Sequence, residues 1–141
     1  MYLLDTNVVS ELRKAGLGKA DANVLTWIAL VPEEALFISA ITLFELEIGV
    51  LQMERRDPRQ GAALRRWIEE GVKDVFSARV VGVDADVAVY SAQLSVPDPR
   101  PSRDMFIGAT ARTHGFVLVT RNVKDFQNMG LDIVNPWDGP A

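Results

Sequence analysis

Short apolar runs alternate along the chain with longer stretches of helical spacing. Residues 1–4, 36–39, 80–83, 116–120 and 131–134 are apolar and of strand length. Each is bounded by polar or turn-forming residues, as strands buried on both faces are. Between them, apolar positions recur every three or four residues. That spacing predicts helices over about 7–12, 24–30, 41–53, 62–75, 84–94 and 102–113. Asn23 and Ser102 are placed as helix caps, Pro32 and Gly115 as stops. Residues 13–21, 54–60 and 96–101 read as loops, the last holding three prolines. Alternating strands and helices predict an α/β fold, a parallel sheet covered by helices on both faces.

Composition narrows this picture. The 141 residues suit one domain spanning 1–141, with 48% apolar and 24% charged positions. There is no cysteine, which removes disulfides and thiolate chemistry, and one histidine, His114, too few for a multi-histidine metal site. A metal here would need oxygen ligands, which favours magnesium or manganese over zinc. No apolar run approaches the ~18 residues of a membrane span, and no basic segment precedes the first strand. The expectation is a cytoplasmic protein. The net charge of −4 counts against nucleic-acid binding unless the acids are gathered in one metal pocket.

The acids are placed to do that. Asp5 ends the first apolar strand, where open α/β sheets put their ligands. Taken alone it is equally a helix cap. Glu45 follows the second strand and shares a helical stripe with Thr42 and Gly49, two small residues that leave room for approach. Glu47 lies on another face. Asp104 opens a helix rich in small residues (Gly108, Ala109, Ala111), which can pack closely on the sheet. Asn122 and Asp125 follow the clearest strand, 116–120. Acids gathered at one sheet edge repel, and a divalent ion resolves the repulsion. Such an ion activates water and stabilises charge on a phosphate, and two ions can clamp both oxygens of an in-line displacement.

These residues, in this order, resemble a known family. Leu3-Leu4-Asp5-Thr6-Asn7-Val8, then Ser39 to Leu46 with Gly49, then Asp104 before Ile107-Gly108-Ala109-Thr110-Ala111, then Val119 to Phe126, look like a PIN domain. The chain is most similar to the VapC toxins, including the FitB-like branch, whose members tend to end in a tail like Asn135-Pro136-Trp137. The resemblance covers essentially the whole chain. It implies an α/β/α sandwich with a mostly parallel sheet of four or five strands. It implies a Mg2+- or Mn2+-dependent endoribonuclease, the toxin of a type II toxin–antitoxin pair. RNA would be the substrate and a VapB-like antitoxin the inhibitor reaching into the acidic pocket. The toxin would be a homodimer, in a larger assembly with the antitoxin.

Carried over residue by residue, the resemblance places the first three acids on Asp5, Glu45 and Asp104. The fourth falls on Asp125, with Asn122 as a weaker ligand or positioning group. Asp5 and Asp104 would bind metal directly. Glu45 would bind through water or orient the attacking water, and Asp125 would complete the set. Thr6, Ser39 and Thr120 would hydrogen-bond the carboxylates. Arg13, Lys14, Arg103, Arg121 and Lys124 could meet phosphates. The set Arg55, Arg56, Arg59, Arg65 and Arg66 reads as a solvated helix face, and Trp27 and Trp67 as core or dimer interface. The stretch 97–101 departs from the family in being shorter and richer in proline.

Two other readings start from the same residues. A phosphatase of the haloacid-dehalogenase type wants a second aspartate two positions after the first, where this chain has Asn7. A receiver-type phosphoacceptor would need its aspartate after the middle strand, and that does not fit either. A non-catalytic RNA- or partner-binding module on the same fold is the main alternative, because this chain has Asn122 where many family members carry an acid.

Overall fold

The computed structural model describes residues 1–139, so the final two positions of the expected 1–141 domain, Pro140 and Ala141, lie outside the described residues. Five strands form one sheet: β1 (Tyr2–Leu4), β2 (Leu36–Ser39), β3 (Val80–Val81), β4 (Val117–Val119) and β5 (Ile133–Val134). Their order is β3-β2-β1-β4-β5, and every pairing is parallel. Among the described residues seven α-helices accompany them: α1 (Thr6–Ala15), α2 (Ala22–Ala29), α3 (Ala40–Arg56), α4 (Pro58–Arg66), α5 (Lys73–Val75), α6 (Ala85–Leu94) and α7 (Ser102–His114). A π-type turn, Trp67–Val72, joins α4 to α5.

Alternate residues of each strand serve opposite faces. Leu4 and Val119 pack with Val8, Val9, Ile38, Ile68, Val72 and Phe76 on one side. Leu3 and Leu118 pack with Met105, Ile107, Phe126 and Met129 on the other. Leu3, Leu4, Ile38, Leu118 and Val119 are all 0% exposed, and burial of a side chain this size contributes about 1.5–3 kcal/mol. Because the central strands are apolar on both faces, a polar residue at a strand's carboxyl end stands out as soon as the core stops.

Several element ends differ from the sequence expectation. Helix α1 runs on to Ala15 rather than stopping near residue 12, with Arg13 and Lys14 in its last turn. Cations there complement the helix dipole, a signal that apolar spacing does not carry. The cap of α2 is Asp21, whose carboxylate accepts from Asn23 N and Val24 N, so Asn23 lies inside the helix. The loop expected over 54–60 shrinks to Asp57, which accepts from Gln60 N while Pro58 opens α4. Ser102 is the first residue of α7, not its cap; Pro101 holds that position without a side-chain bond. Gly115 does end α7, at φ +69°.

The crossing of α3 and α4 depends on Gly61. A Cβ there would meet Glu54 Cα at 2.5 Å and Glu54 N at 2.7 Å. Beside the crossing, Arg65 reaches Glu47 (2.7 Å), Glu69 (3.3 Å) and Glu54 (3.4 Å), and Lys73 also pairs with Glu47 and Glu69. Arg65 is therefore withdrawn from the solvated face expected of it. Trp27 meets Tyr2 edge-on at 5.2 Å, as a core residue would. The tail is tied down as well: Asn135 caps a short turn at Pro136–Asp138, and Asn23 Nδ2 donates to Trp137 O at 2.8 Å.

Candidate active site

The strand order decides where the site lies. From β1 the chain steps outward to β2 and β3, then returns to lay β4 against the other side of β1. The crevice at the carboxyl ends of β1 and β4 is the switch point where open parallel sheets hold their ligands. Asp5 and Thr120 stand on either side of it, each one residue past its strand.

Asp5 is 6% exposed and held by three donors. Its Oδ1 accepts from Thr6 N at 2.8 Å. Its Oδ2 accepts from Thr120 Oγ1 at 2.8 Å and from Asn7 Nδ2 at 3.4 Å. Burial pushes its pKa up; the bonds from Thr120 and Thr6 oppose that, and the charges of Glu45 and Asp125 add to it. The carboxylate is fixed in place yet short of positive charge.

Glu45 comes from the second turn of α3. Thr6 Oγ1 donates to Glu45 Oε1 at 2.8 Å and stands 3.1 Å from Thr42 Oγ1. Thr6 thus ties two acids from different segments, its N–H to Asp5 after β1 and its hydroxyl to Glu45 in α3. Arg103 lies 3.7 Å from Glu45 Oε2, with its guanidinium over the Phe44 ring at 5.1 Å.

Asp104 sits in the first turn of α7 and is half-buried. Its pKa is pushed up to about 6, first by desolvation and then by the charges of Asp125, Asp5 and Glu45. Asp104 and Asp125 line a cleft of about 290 Å³ with Arg100, Lys124 and Gln127. Asn122 and Asp125 share a second cleft of about 570 Å³ with Arg121 and Lys124. Asn122 N donates to Thr120 Oγ1 at 3.0 Å, and its side chain is exposed. Arg121 lies over the Trp137 ring at 5.2 Å.

Four acids from four chain segments therefore feel one another across the switch point. Among the described residues, no three of them stand close enough to grip one ion by themselves. Magnesium and manganese suit an open oxygen site of this kind, because such ions keep several waters and take only one or two carboxylates directly. Two sequence expectations change here. Ser39, expected to hydrogen-bond the carboxylates, instead caps α3, its Oγ accepting from Ile41 N at 3.0 Å. Asn7, given no role from sequence, bridges both strands. Its Nδ2 reaches Asp5 Oδ2 and Thr120 Oγ1, each at 3.4 Å, and its Oδ1 accepts from Arg121 N at 3.3 Å. Its position two residues after Asp5, with an amide that both donates and accepts, was the available signal.

The chain is similar to known proteins over nearly its whole length. VapC ribonuclease Y4jK of Sinorhizobium fredii is 37% identical over 98% of this chain and 99% of its own length. The crystal structure of FitAcB from Neisseria gonorrhoeae superposes with a TM-score of 0.85 at 29% identity, covering 97% of this chain and 99% of that one. A toxin–antitoxin complex from Klebsiella pneumoniae superposes at 0.66 and 26% identity, covering 96% and 98%. The sequence pattern of the PIN domain matches residues 2–130. On that match and the parallel sheet with its acids at the switch point, the chain belongs to the PIN domain family.

Proposed function

We propose that the chain is a divalent-metal-dependent endoribonuclease, the toxin half of a VapBC-type toxin–antitoxin pair. It acts in the cytoplasm as a homodimer and is held inactive by a small VapB-like antitoxin. The observation that carries this reading is the meeting of Asp5, Glu45, Asp104 and Asp125 at one crevice, with Asp5 and Asp104 both pushed toward protonation. The Sinorhizobium relative is named a ribonuclease, and the Klebsiella neighbour is a toxin–antitoxin complex. Among the described residues no helix is long and apolar enough to cross a membrane.

The donors are all oxygen, which supports Mg2+ or Mn2+. Asp5 and Asp104 would hold the ion, with Glu45 and Asp125 joining through water. When bound, such an ion supplies positive charge to a phosphate and makes water more acidic. The chain's own residues do the positioning. Thr120, Thr6 and Asn7 fix the Asp5 carboxylate. Thr6 holds Glu45 Oε1, and Oε2, 3.7 Å from Arg103, would orient the attacking water. Lys124, Arg121 and Arg103 border the crevice and offset the charge of the incoming phosphodiester. Water would attack phosphorus in line as the bond to the 3′-oxygen breaks, leaving OH on phosphorus and the water's other proton on the 3′-oxygen as a hydroxyl.

The open spacing of the acids favours one second reading, a PIN-like module that binds RNA or a partner without cutting it. Cleavage of total RNA by antitoxin-free protein, with mapped ends, separates the two. Lanes with magnesium, manganese and EDTA are compared with Asp5→Asn and Asp104→Asn. A nuclease gives a few cuts that vanish with EDTA and in both variants. Cuts that persist in the variants remove this site, and an intact, metal-bound protein that cuts nothing supports the binding module.

A further inference from the structure

A cleft of about 300 Å³ opens on the Glu45 side of the crevice, away from Asp104. One wall is the α1 stripe Thr6, Ser10 and Arg13, at helical intervals of four and three. The other is α3, where Glu45 and Gly49 face the opening. Leu46, Val50, Leu64 and Trp67 make an apolar floor. Thr6 and Glu45 belong both to this cleft and to the acid site, so whatever enters lies next to the reacting phosphate.

The chemistry of the walls selects the occupant. The floor is apolar and includes an aromatic ring, and the rim is cationic. Lys14 is engaged by the buried Glu11 at 3.1 Å. Arg13 makes no ion pair among the described residues. A Cβ on Gly49 would meet nothing within 4 Å, so the missing side chain leaves open space. An apolar slot with a free cation at its mouth, beside carboxylates suited to a phosphodiester, matches one nucleotide of a single strand: base on the floor, phosphate at the rim.

We propose that this cleft is a nucleotide subsite, which seats the base adjacent to the scissile phosphate against Trp67 and holds its phosphate with Arg13. The proposal rests on the ribonuclease reading for the identity of the strand and deepens it by naming where sequence preference arises. It makes Gly49 a specificity position: a side chain there fills the slot, one helical turn from Glu45 on the same face.

The test is binding without catalysis. Labelled single-stranded A, C and U 12-mers are titrated by anisotropy into an Asp5→Asn/Asp104→Asn background in EDTA. Gly49→Leu and Arg13→Gln are added separately, with Arg55→Gln as control. Replacing a helical glycine favours the helix, so Gly49→Leu keeps the fold. The parent should prefer one base. Gly49→Leu should weaken that oligomer about 5–10-fold and level the three affinities, as expected when one stacked base is lost. Arg13→Gln should weaken all three and flatten their salt dependence. Three results overturn the proposal: a parent that binds no RNA, variants that keep the parent's affinity and preference, or a Gly49→Leu protein changed only in oligomeric state, which makes the cleft a protein interface. If the base preference behaves as stated but wild type cuts no RNA with either metal, the subsite stands and the nuclease reading falls.

Discussion

Thr120 Oγ1 donates to Asp5 Oδ2 at 2.8 Å, joining the carboxyl ends of the two central strands through a single proton. Both residues are buried, and this bond offsets part of the burial that raises the Asp5 pKa. Thr120→Val keeps the shape and removes the donor. The Asp5 pKa should rise further, and Mn2+ affinity and RNA cleavage should fall about 10–100-fold. Calorimetric Mn2+ titration and carboxyl NMR of the variant check this.

Asp104 predicts an unusual pH dependence for the metal-free protein. Its pKa is raised from 3.8 to about 6, so the folded state binds the proton more tightly than the unfolded chain does. Between those values the native form holds more protons, and stability falls as pH rises from about 4 to 6. Solvent screening at this half-exposed site leaves about 1 kcal/mol of the effect. Thermal melts in EDTA should show that slope for wild type and a shallower one for Asp104→Asn. Added Mn2+ should offset it above pH 6.

Asp125 and Asn122 compete for the fourth position, and the charges separate them. Asp125 is the second cause of the raised Asp104 pKa, after desolvation. Asp125→Asn should therefore bring the Asp104 titration back toward the ordinary carboxylate range and cost more activity than Asn122→Ala. Carboxyl NMR across pH 3–8 (roughly the titration range of such groups) reads the first outcome, and initial cleavage rates read the second.

How much of this was visible in the sequence differs from feature to feature. The strands and their order of chemistry were legible because each apolar run stops at a polar residue: Leu4 at Asp5, Ile38 at Ser39, Val119 at Thr120. The helix ends were less so, because Asp21 and Asp57 cap through side-chain geometry that apolar spacing does not encode. Ser39 was misread since a serine after a strand serves equally as helix cap or carboxylate partner. Arg65 was misread for a similar reason. Its partners Glu47 and Glu54 lie on the preceding helix, and only the crossing at Gly61 brings them together.

That ion-pair group has its own pH signature. Arg65 and Lys73 hold the Glu47 and Glu69 carboxyls below their ordinary range. Stability from a lowered carboxylate is present above its unfolded value of 4.5 and is lost as pH falls through the folded one. Arg65→Met should lower the melting temperature at pH 7 and do so less at pH 3. Paired melts at the two pH values test it.

Two glycines should behave oppositely. Gly61→Ala drives a methyl into the Glu54 backbone and should destabilise by about 1–3 kcal/mol. Gly49→Ala meets nothing and should stabilise by about 0.5–1 kcal/mol. Urea unfolding of both variants gives the comparison.

The bond between Asp5 and Thr120 also sets a timetable for synthesis. Its partners lie 115 positions apart, so the first acid leaves the ribosome long before the residue that anchors it. Contacts of such separation form late, after the loop between them has been closed. Until β4 docks against β1, a nascent chain holds Asp5 without its Thr120 donor and without the Asp125 that follows β4. The acid set around Asp5 is therefore completed only after β4 and the segment carrying Asp125 have been made.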